Sequence, residues 1–263
     1  MNQTRVLAFG HSHLGALSLA YADGIGRLDL PYELTTYQFL QSDRPQIVNT
    51  DGKGWHYHPE IERDVLELID TIEPGAVAIM MHGEQAISAG LIAPSKPYDF
   101  YFPWETGYIP NAASEIIPFD LLLQVYIARY RLIADFIDLI RDKLPPVTFA
   151  LSPPPPVGDR KFVIDSDVAH GDISSHIRQH GLPATTWRQR IWKINTMAMC
   201  SVYSARGIGL IDPPAGTADE EGCLRPEFRS DVFHANLAYG ERLLQQIGDL
   251  VAQTASAPES VEL

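Results

Sequence analysis

Short apolar runs alternate with longer amphipathic stretches along the chain. Five runs of four to six residues are rich in apolar and β-branched side chains and are bounded by glycine, proline or polar residues. That combination is typical of buried strands. The predicted strands are residues 6–9, 34–39, 76–81, 147–151 and 208–211.

The stretches between these strands have helical periodicity. Residues 59–72 open with a proline and place Ile61, Val65 and Leu68 on one stripe, as expected for an amphipathic helix. Strands that alternate with helices of this length predict an α/β fold, a three-layer αβα sandwich around a mostly parallel five-stranded sheet. The other predicted helices are residues 119–144, 187–206 and 235–252.

Two segments depart from this alternation. Residues 90–118 carry six aromatic side chains among several prolines, which fits either a long loop packed by its rings or the wall or lid of a pocket. Residues 152–186 include four consecutive prolines, whose stiff geometry suits a rim more than a core. We expect one domain over residues 1–252 with these two insertions, and a loose tail at residues 253–263.

Composition and charge narrow the class of protein. The 263 residues are 45% hydrophobic with a mean hydropathy of -0.08, which is ordinary for a globular chain. Against 20 basic residues stand 33 acidic ones, and the formal net charge of -13 repels nucleic acids and anionic membranes. The densest basic cluster is interpreted as the solvated face of one helix and consists of Arg188, Arg190 and Lys193.

The sequence also indicates the cellular compartment of the protein. Cys200 and Cys223 form no Cys-x-x-Cys pattern, which predicts free thiols in a reduced compartment. No apolar stretch approaches the roughly 20 residues needed to cross a bilayer, and the N-terminal run is too short for a signal peptide. We therefore expect a soluble, cytoplasmic protein with no membrane partner.

Candidate chemistry begins where the first strand ends, in the letters GHSHLG at residues 10–15. A serine at a strand-to-helix turn has its hydroxyl at the carboxyl edge of the sheet, where ligands bind in α/β folds. Its N–H lies at a helix N-terminus, where negative charge is stabilised. The alternative is that Ser12 only caps the helix. The spacing departs from the Gly-x-Ser-x-Gly elbow of α/β-hydrolases, because the second glycine follows three residues after the serine.

A second polar motif lies near the other end of the chain. Asp231 precedes His234 by three residues, directly before the last predicted helix. A nucleophilic serine needs a base that accepts its proton, and that base needs a carboxylate that fixes its tautomer and stabilises the imidazolium. The Asp-x-x-His spacing supplies both on one turn, although surface polarity combined with a helix cap gives the same pattern.

Together these motifs resemble the SGNH hydrolase superfamily, also called GDSL-like esterases and lipases. The resemblance extends from VLAFGHSHLGAL at the first strand to SDVFHANLAYGERLL at the last helix. It implies a flavodoxin-like fold of the SGNH type. It also implies that Ser12 is the nucleophile, that His234 is its base and that Asp231 orients the base.

The resemblance further implies an oxyanion hole. The family places a glycine N–H after the second strand, for which Gly54 is the preferred counterpart, and an asparagine after the third strand. Here the third strand ends in HGEQ at residues 82–85, so the Gly83 N–H or the Gln85 amide is the expected substitute. Loss of one such donor typically costs about 100- to 1000-fold in turnover.

The histidines support a rival hypothesis. His-x-His pairs resemble the ligands of amidohydrolase-type metal enzymes, so His11, His13 and either His58 or His82 are candidate ligands of a catalytic metal. Those enzymes need a barrel of eight βα units, more strands than the pattern predicts. The simpler expectation is that His11 and His13 pack and hydrogen-bond around Ser12.

The leading prediction is a serine-dependent hydrolase of a small-molecule ester, either an acyl or a carbohydrate ester, that needs no cofactor and no metal. A third hypothesis keeps the fold without catalysis and makes the chain a carbohydrate- or acyl-binding protein. Ser152, after the fourth strand, is expected to shape the substrate cleft. Apolar loops serve interfaces as readily as pockets, so a homo-oligomer is left open.

Overall fold

The computed structural model describes residues 3–24, 28–39, 45–49, 55–81, 85–166 and 171–256. The strands in chain order are β1 (Thr4–Gly10), β2 (Tyr32–Gln38), β3 (Ile47–Val48), β4 (His56–Tyr57), β5 (Ala76–Met80), β6 (Tyr98–Asp99), β7 (Glu115–Ile116), β8 (Val147–Leu151) and β9 (Gly209–Ile211). The helices are α1 (Leu14–Gly24), α2 (Pro59–Ile72), α3 (Gln85–Leu91), α4 (Phe119–Arg129), α5 (Arg131–Ile140), α6 (Arg160–Asp165), α7 (Gly171–His180), α8 (Thr185–Ser204) and α9 (Leu237–Ser256).

Within the described residues, five strands form the central sheet. Their order is β2-β1-β5-β8-β9, and every neighbouring pair is parallel. The carboxyl ends of these strands therefore meet at one edge, as in other parallel sheets. The predicted α/β sandwich with a five-stranded parallel sheet is confirmed.

The two faces of the sheet are covered by different helices. Val77 and Ile79 of β5 belong to an apolar cluster with α2, α5 and α8. Ala76, Ala78 and Met80 of the same strand belong to a second cluster with α1 and α9. Because side chains alternate along a strand, a run that is apolar at every position can fill both layers, which explains why AVAIM lies at the centre.

Two glycines permit the close approaches that shape the functional edge. A Cβ on Gly10, the last residue of β1, would collide with the backbone of Met80 in β5. A Cβ on Gly240 in α9 would collide with the carbonyl of Ala16 in α1. Helices α1 and α9 therefore pack in direct contact. This contact brings the turns that precede the two helices to the same edge of the sheet.

Helix boundaries differ from the prediction at two places. The stretch predicted as one helix over residues 119–144 is divided into α4 and α5 at Tyr130, whose φ of -93° and ψ of 11° leave the helical region. This break accompanies a buried hydrogen bond from the Tyr130 hydroxyl to Asn195 Oδ1 at 2.9 Å. Helix α9 continues past residue 252 to Ser256, and residues 257–263 of the predicted tail lie outside the described residues.

The proline run is a further correction. Residues 153–156 are all buried, so the expectation of a rim is wrong. A proline has no N–H to satisfy, which allows such a run to enter the interior without unpaired donors. The segment that follows is also more regular than predicted, because it contains α6 and α7.

The interpretation of the basic cluster as a solvated helix face is wrong for two of its three members. Arg188 is 2% exposed and Arg190 is 7% exposed. Arg188 donates to the carbonyls of Val157 and Gly158 in the irregular chain after β8, where backbone acceptors need partners. Only Lys193 remains exposed.

The aromatic segment, residues 98–108, combines both predicted roles. Phe100 and Phe102 are buried in the main core, whereas Tyr98, Trp104 and Tyr108 line cavities at the surface. The segment is therefore fixed to the body of the protein while it forms part of a pocket wall. None of the helices described is long and apolar enough to cross a membrane.

Candidate active site

Ser12 lies in the turn between β1 and α1, at the carboxyl edge of the sheet. The turn is tight, since Leu14 N–H donates to the His11 carbonyl at 3.0 Å and Gly15 N–H donates to the Ser12 carbonyl at 2.9 Å. The N–H of Ser12 makes no hydrogen bond within the described part of the chain. It is a donor at the N-terminus of α1, where developing negative charge is stabilised.

Asp231 and His234 lie on a turn that directly precedes α9. Backbone N–H groups of Ser230 and Asp231 both donate to the His234 carbonyl, at 2.9 and 3.2 Å. The two residues between them, Val232 and Phe233, are buried in an apolar cluster with side chains of α3, α6 and α7. The buried middle of the turn anchors it and leaves its two polar ends at the edge of the sheet.

The two turns meet through side chains. His234 Nε2 lies 2.9 Å from Ser12 Oγ, across 222 residues of sequence. His234 Nδ1 lies 2.9 Å from Asp231 Oδ2 and 3.1 Å from Oδ1. With Nδ1–H donating to the carboxylate, Nε2 is the acceptor for the serine hydroxyl. The arrangement can therefore pass a proton from serine to an imidazole whose tautomer is fixed.

Asp231 is held in its ionised form. Its Oδ1 also accepts the backbone N–H groups of Phe233 and His234, both at 2.7 Å. Partial burial raises the pKa of Asp231, but the hydrogen bonds from the His234 ring and from these two N–H groups outweigh it, so the pKa lies below its usual value. An ionised carboxylate in this position stabilises an imidazolium at His234.

The other two histidines near Ser12 occupy defined positions. His13 is buried, and its ring centroid lies 5.0 Å from that of His234 at an angle of 43°. His11 Nε2 lies 3.0 Å from the Tyr57 hydroxyl. Burial lowers the pKa of His11 to about 4, against an opposing hydrogen bond to Gln46. His11 is therefore uncharged at neutral pH.

The remaining predicted oxyanion donors are not described. Gly54 and Gly83 lie outside the described residues. Gln85 is the first residue of α3, but its side chain is not described. The Ser12 N–H is thus the predicted oxyanion donor that lies within the described residues.

The histidines of the metal hypothesis have other partners where they are described. His58 Nδ1 accepts the Glu60 N–H at 3.3 Å and caps α2, while His11 bonds Tyr57. His82 lies outside the described residues. Among the residues that are described, no three His, Cys, Asp or Glu side chains are grouped so that they could hold a metal ion.

The structural roles of two supporting residues were not predicted from the sequence. Asn236 Nδ2 donates to the carbonyls of Glu227 and Arg229, at 2.8 and 3.3 Å, while its Oδ1 accepts the first N–H groups of α9. An asparagine directly before a predicted helix is a helix-cap signal, so this role could have been found. No local signal pairs Tyr57 with His11, because the contact spans 46 residues.

No protein-family model matches the chain, and no curated protein matches its sequence. Solved structures do align with it over most of its length. A GDSL-like lipase from Bacteroides thetaiotaomicron is 11% identical, with 96% of this chain and 89% of that chain covered and a TM-score of 0.46. A carbohydrate acetylesterase from Sinorhizobium meliloti is 11% identical, with coverage of 95% and 99% and a TM-score of 0.46.

The periplasmic domain of a lipopolysaccharide acetyltransferase from Salmonella ser. Paratyphi A is 13% identical, with 95% of this chain and 85% of that chain covered and a TM-score of 0.49. At such low identities the likeness is one of overall fold, and the chemistry of this chain has to be derived from its own side chains.

Proposed function

We propose that the chain is a serine ester hydrolase of the SGNH, or GDSL-like, type. The observation that carries the proposal is the pair of hydrogen bonds that link Ser12 to His234 and His234 to Asp231 at the open edge of the sheet. A serine that only caps α1 needs no imidazole on its hydroxyl, and an imidazole at the surface needs no carboxylate on its far nitrogen. The joint arrangement is the one that activates a hydroxyl as a nucleophile.

The first half of the reaction transfers the acyl group to the protein. Ser12 Oγ attacks the ester carbonyl carbon while its proton passes to His234 Nε2, and the carbonyl oxygen becomes a tetrahedral oxyanion. The Ser12 N–H at the start of α1 stabilises that charge. When the intermediate collapses, the bond to the alcohol oxygen breaks, and the alcohol leaves with the proton from His234.

The second half releases the acid and restores the serine. A water molecule attacks the carbonyl carbon of the acyl-serine and gives a proton to His234 Nε2. Collapse of the second tetrahedral intermediate breaks the bond to Ser12 Oγ, which recovers the proton from His234. Throughout, Asp231 orients the imidazole and stabilises its charged form.

Hydrolysis of a chromogenic ester tests the proposal. The native chain should release p-nitrophenol from p-nitrophenyl acetate, and Ser12→Ala should lower kcat by at least about 10,000-fold because the covalent route is lost. Ser18→Ala is the matched control, since Ser18 lies in α1, the helix that follows Ser12, and its hydroxyl donates to the Leu14 carbonyl at 3.1 Å. Equal turnover in the native and Ser12→Ala chains would reject the assignment of the nucleophile.

A further inference from the structure

Two adjoining surface cavities lie between the aromatic segment and the start of α8. One, of about 340 Å³, is lined in part by Tyr98 and Trp187. The other, of about 400 Å³, is lined in part by Trp104. Both are bordered by Tyr108 and Thr186, so they lie side by side, and we call the pair the aromatic groove. Each cavity has the size of a typical ligand site, about 300 to 1,000 Å³.

Trp104 offers the groove a large flat surface. Phe102 stacks against one side of its ring, with centroids 5.1 Å apart and planes at 23°. The tryptophan is nevertheless 53% exposed, with Lys193 Nζ 5.3 Å from the centroid of its ring. An indole that is supported on one side and open to solvent is a platform for the apolar C–H face of a ring-shaped ligand.

The walls of the groove are held in place by Arg190. Its guanidinium bonds Glu105 at 2.6 and 2.8 Å, donates to the Phe100 carbonyl and lies 3.7 Å from the ring centroid of Tyr108. The Tyr108 hydroxyl in turn donates to the buried carboxylate of Asp99 at 2.8 Å. These contacts fix the aromatic segment on α8, so little ordering is required when a ligand binds.

The charges in the groove balance although the chain is strongly acidic. Asp99 and Glu105 contribute two carboxylates, whereas Arg190 and Lys193 contribute two cations. The chain as a whole carries a formal net charge of -13. Because its own charges are balanced, the groove presents no excess of either sign that would favour a charged ligand at close range.

The uncharged polar groups of the groove identify the class of ligand. Asn111, Ser114, Thr186 and Gln189 line it, and each of their side chains can both donate and accept hydrogen bonds. Asn111 Oδ1 already accepts the Ala113 N–H at 3.0 Å, and Gln189 Nε2 already donates to the Glu221 carbonyl. A fatty acyl chain would cover the other polar atoms of these side chains without giving them partners, which is unfavourable. A ligand with many hydroxyls and with apolar ring faces satisfies both the amides and the aromatic rings.

We infer that the aromatic groove binds an uncharged oligosaccharide, with a pyranose ring against Trp104 and hydroxyls bonded to the amide and hydroxyl side chains. The groove shares no lining residue with the turn that carries Ser12. Leu182 nevertheless lines it and belongs to the same buried cluster as Phe233, the neighbour of His234. The inference goes beyond the proposed hydrolysis, because saccharide binding requires no reaction at Ser12.

Calorimetric titration of the Ser12→Ala chain with xylohexaose, cellohexaose and chitohexaose tests the inference. At least one of these uncharged hexasaccharides should bind saturably in the millimolar range or tighter. Trp104→Ala should weaken binding by at least about tenfold, whereas Trp104→Phe keeps a ring and should retain most of it. Leu139→Ala is the matched control, because Leu139 is 54% exposed on α5, outside the groove, and its loss should leave binding unchanged.

A second variant guards against a folding defect in Trp104→Ala. Thr186 is exposed at the start of α8 and borders both cavities. Thr186→Arg places a long side chain at this border, so it should also abolish binding while the thermal unfolding midpoint stays near that of the parent. Absence of saturable binding for all three hexasaccharides would overturn the inference, as would binding that survives both Trp104→Ala and Thr186→Arg. Because the Ser12→Ala chain lacks the proposed nucleophile, neither result depends on whether the native chain hydrolyses esters.

Discussion

Two clusters of ionisable side chains in this protein are built in opposite ways. In the proposed triad, the His234 and Asp231 side chains are 25% and 51% exposed, an exposure that suits the proton exchange with a substrate that we propose for His234. In the other cluster, the Arg190 and Asp99 side chains are 8% and 5% exposed, with three aromatic rings around the guanidinium. Exposure therefore separates a cluster suited to chemistry from one that anchors a loop.

The largest effect is expected in the exposed cluster. Asp231→Asn should lower kcat for ester hydrolysis by about 10,000-fold, because an amide no longer fixes the productive tautomer of His234 or stabilises its imidazolium. The matched control is Asp219→Asn, since Asp219 also accepts two backbone N–H groups of its own turn. Steady-state kinetics measures kcat for both variants. Equal kcat values for Asp231→Asn and Asp219→Asn would mean that Asp231 only stabilises its turn.

The buried cluster should respond in stability. Arg190→Met leaves the Asp99 carboxylate buried without its cation, which should lower the free energy of unfolding by about 3–5 kcal/mol. The exposed pair of Arg131 and Asp135 provides the comparison, since Arg131→Met should cost at most about 1 kcal/mol. Urea denaturation measures both, and similar losses in the two variants would contradict the anchoring role of Arg190.

His11 combines features of both clusters, because it adjoins Ser12 and yet is kept neutral by burial. An unfolded histidine binds its proton near pH 6.5, whereas the folded protein protonates His11 only near pH 4. As the pH falls through this window the unfolded state takes up protons first, so the free energy of unfolding should decline by up to about 3 kcal/mol. Urea denaturation at several pH values gives the free energy of unfolding, and its decline between pH 6.5 and pH 4 should be smaller for His11→Gln than for the native chain. An equal decline in both chains would contradict this role of His11.

The smallest effect on stability is expected at the contact between α1 and α9. Gly240→Ala inserts a methyl group against the Ala16 carbonyl, and the strain should lower the unfolding free energy by about 1–3 kcal/mol. It should also lower kcat, because α1 follows the turn of Ser12 and α9 follows the turn of His234. Gly209→Ala is the control, since nothing lies within 4 Å of a Cβ at Gly209. A Gly240→Ala chain with native stability and turnover would show that the helices adjust freely.

The fold was accessible from the sequence because its central elements are patterned locally. A run such as AVAIM of β5 is apolar at every position, and that pattern already predicts a strand covered on both faces. The break at Tyr130 and the burial of residues 153–156 were not predicted, since both depend on partners distant in sequence. The same limit explains the misread basic cluster, because no local signal relates Arg190 to Glu105, 85 residues away.

The candidate site was only partly accessible from the sequence. Ser12, Asp231 and His234 stand in short motifs whose residue types already suggest their chemistry, and the resemblance to SGNH hydrolases implied the role of each residue. The oxyanion donors could not be fixed in this way, because the roles predicted for Gly54 and Gly83 rest on backbone N–H groups, which every residue type except proline can provide. Their positions also lie outside the described residues.

The most direct test of the central claim is to react the native chain with a fluorophosphonate and locate the adduct by peptide mass spectrometry. A serine activated by an imidazole is the group that such a reagent phosphonylates. The account predicts a single adduct on Ser12, absent in Ser12→Ala and formed far more slowly in His234→Ala. A chain that stays unlabelled, or that is labelled on another residue at the same rate after Ser12→Ala, would contradict the account.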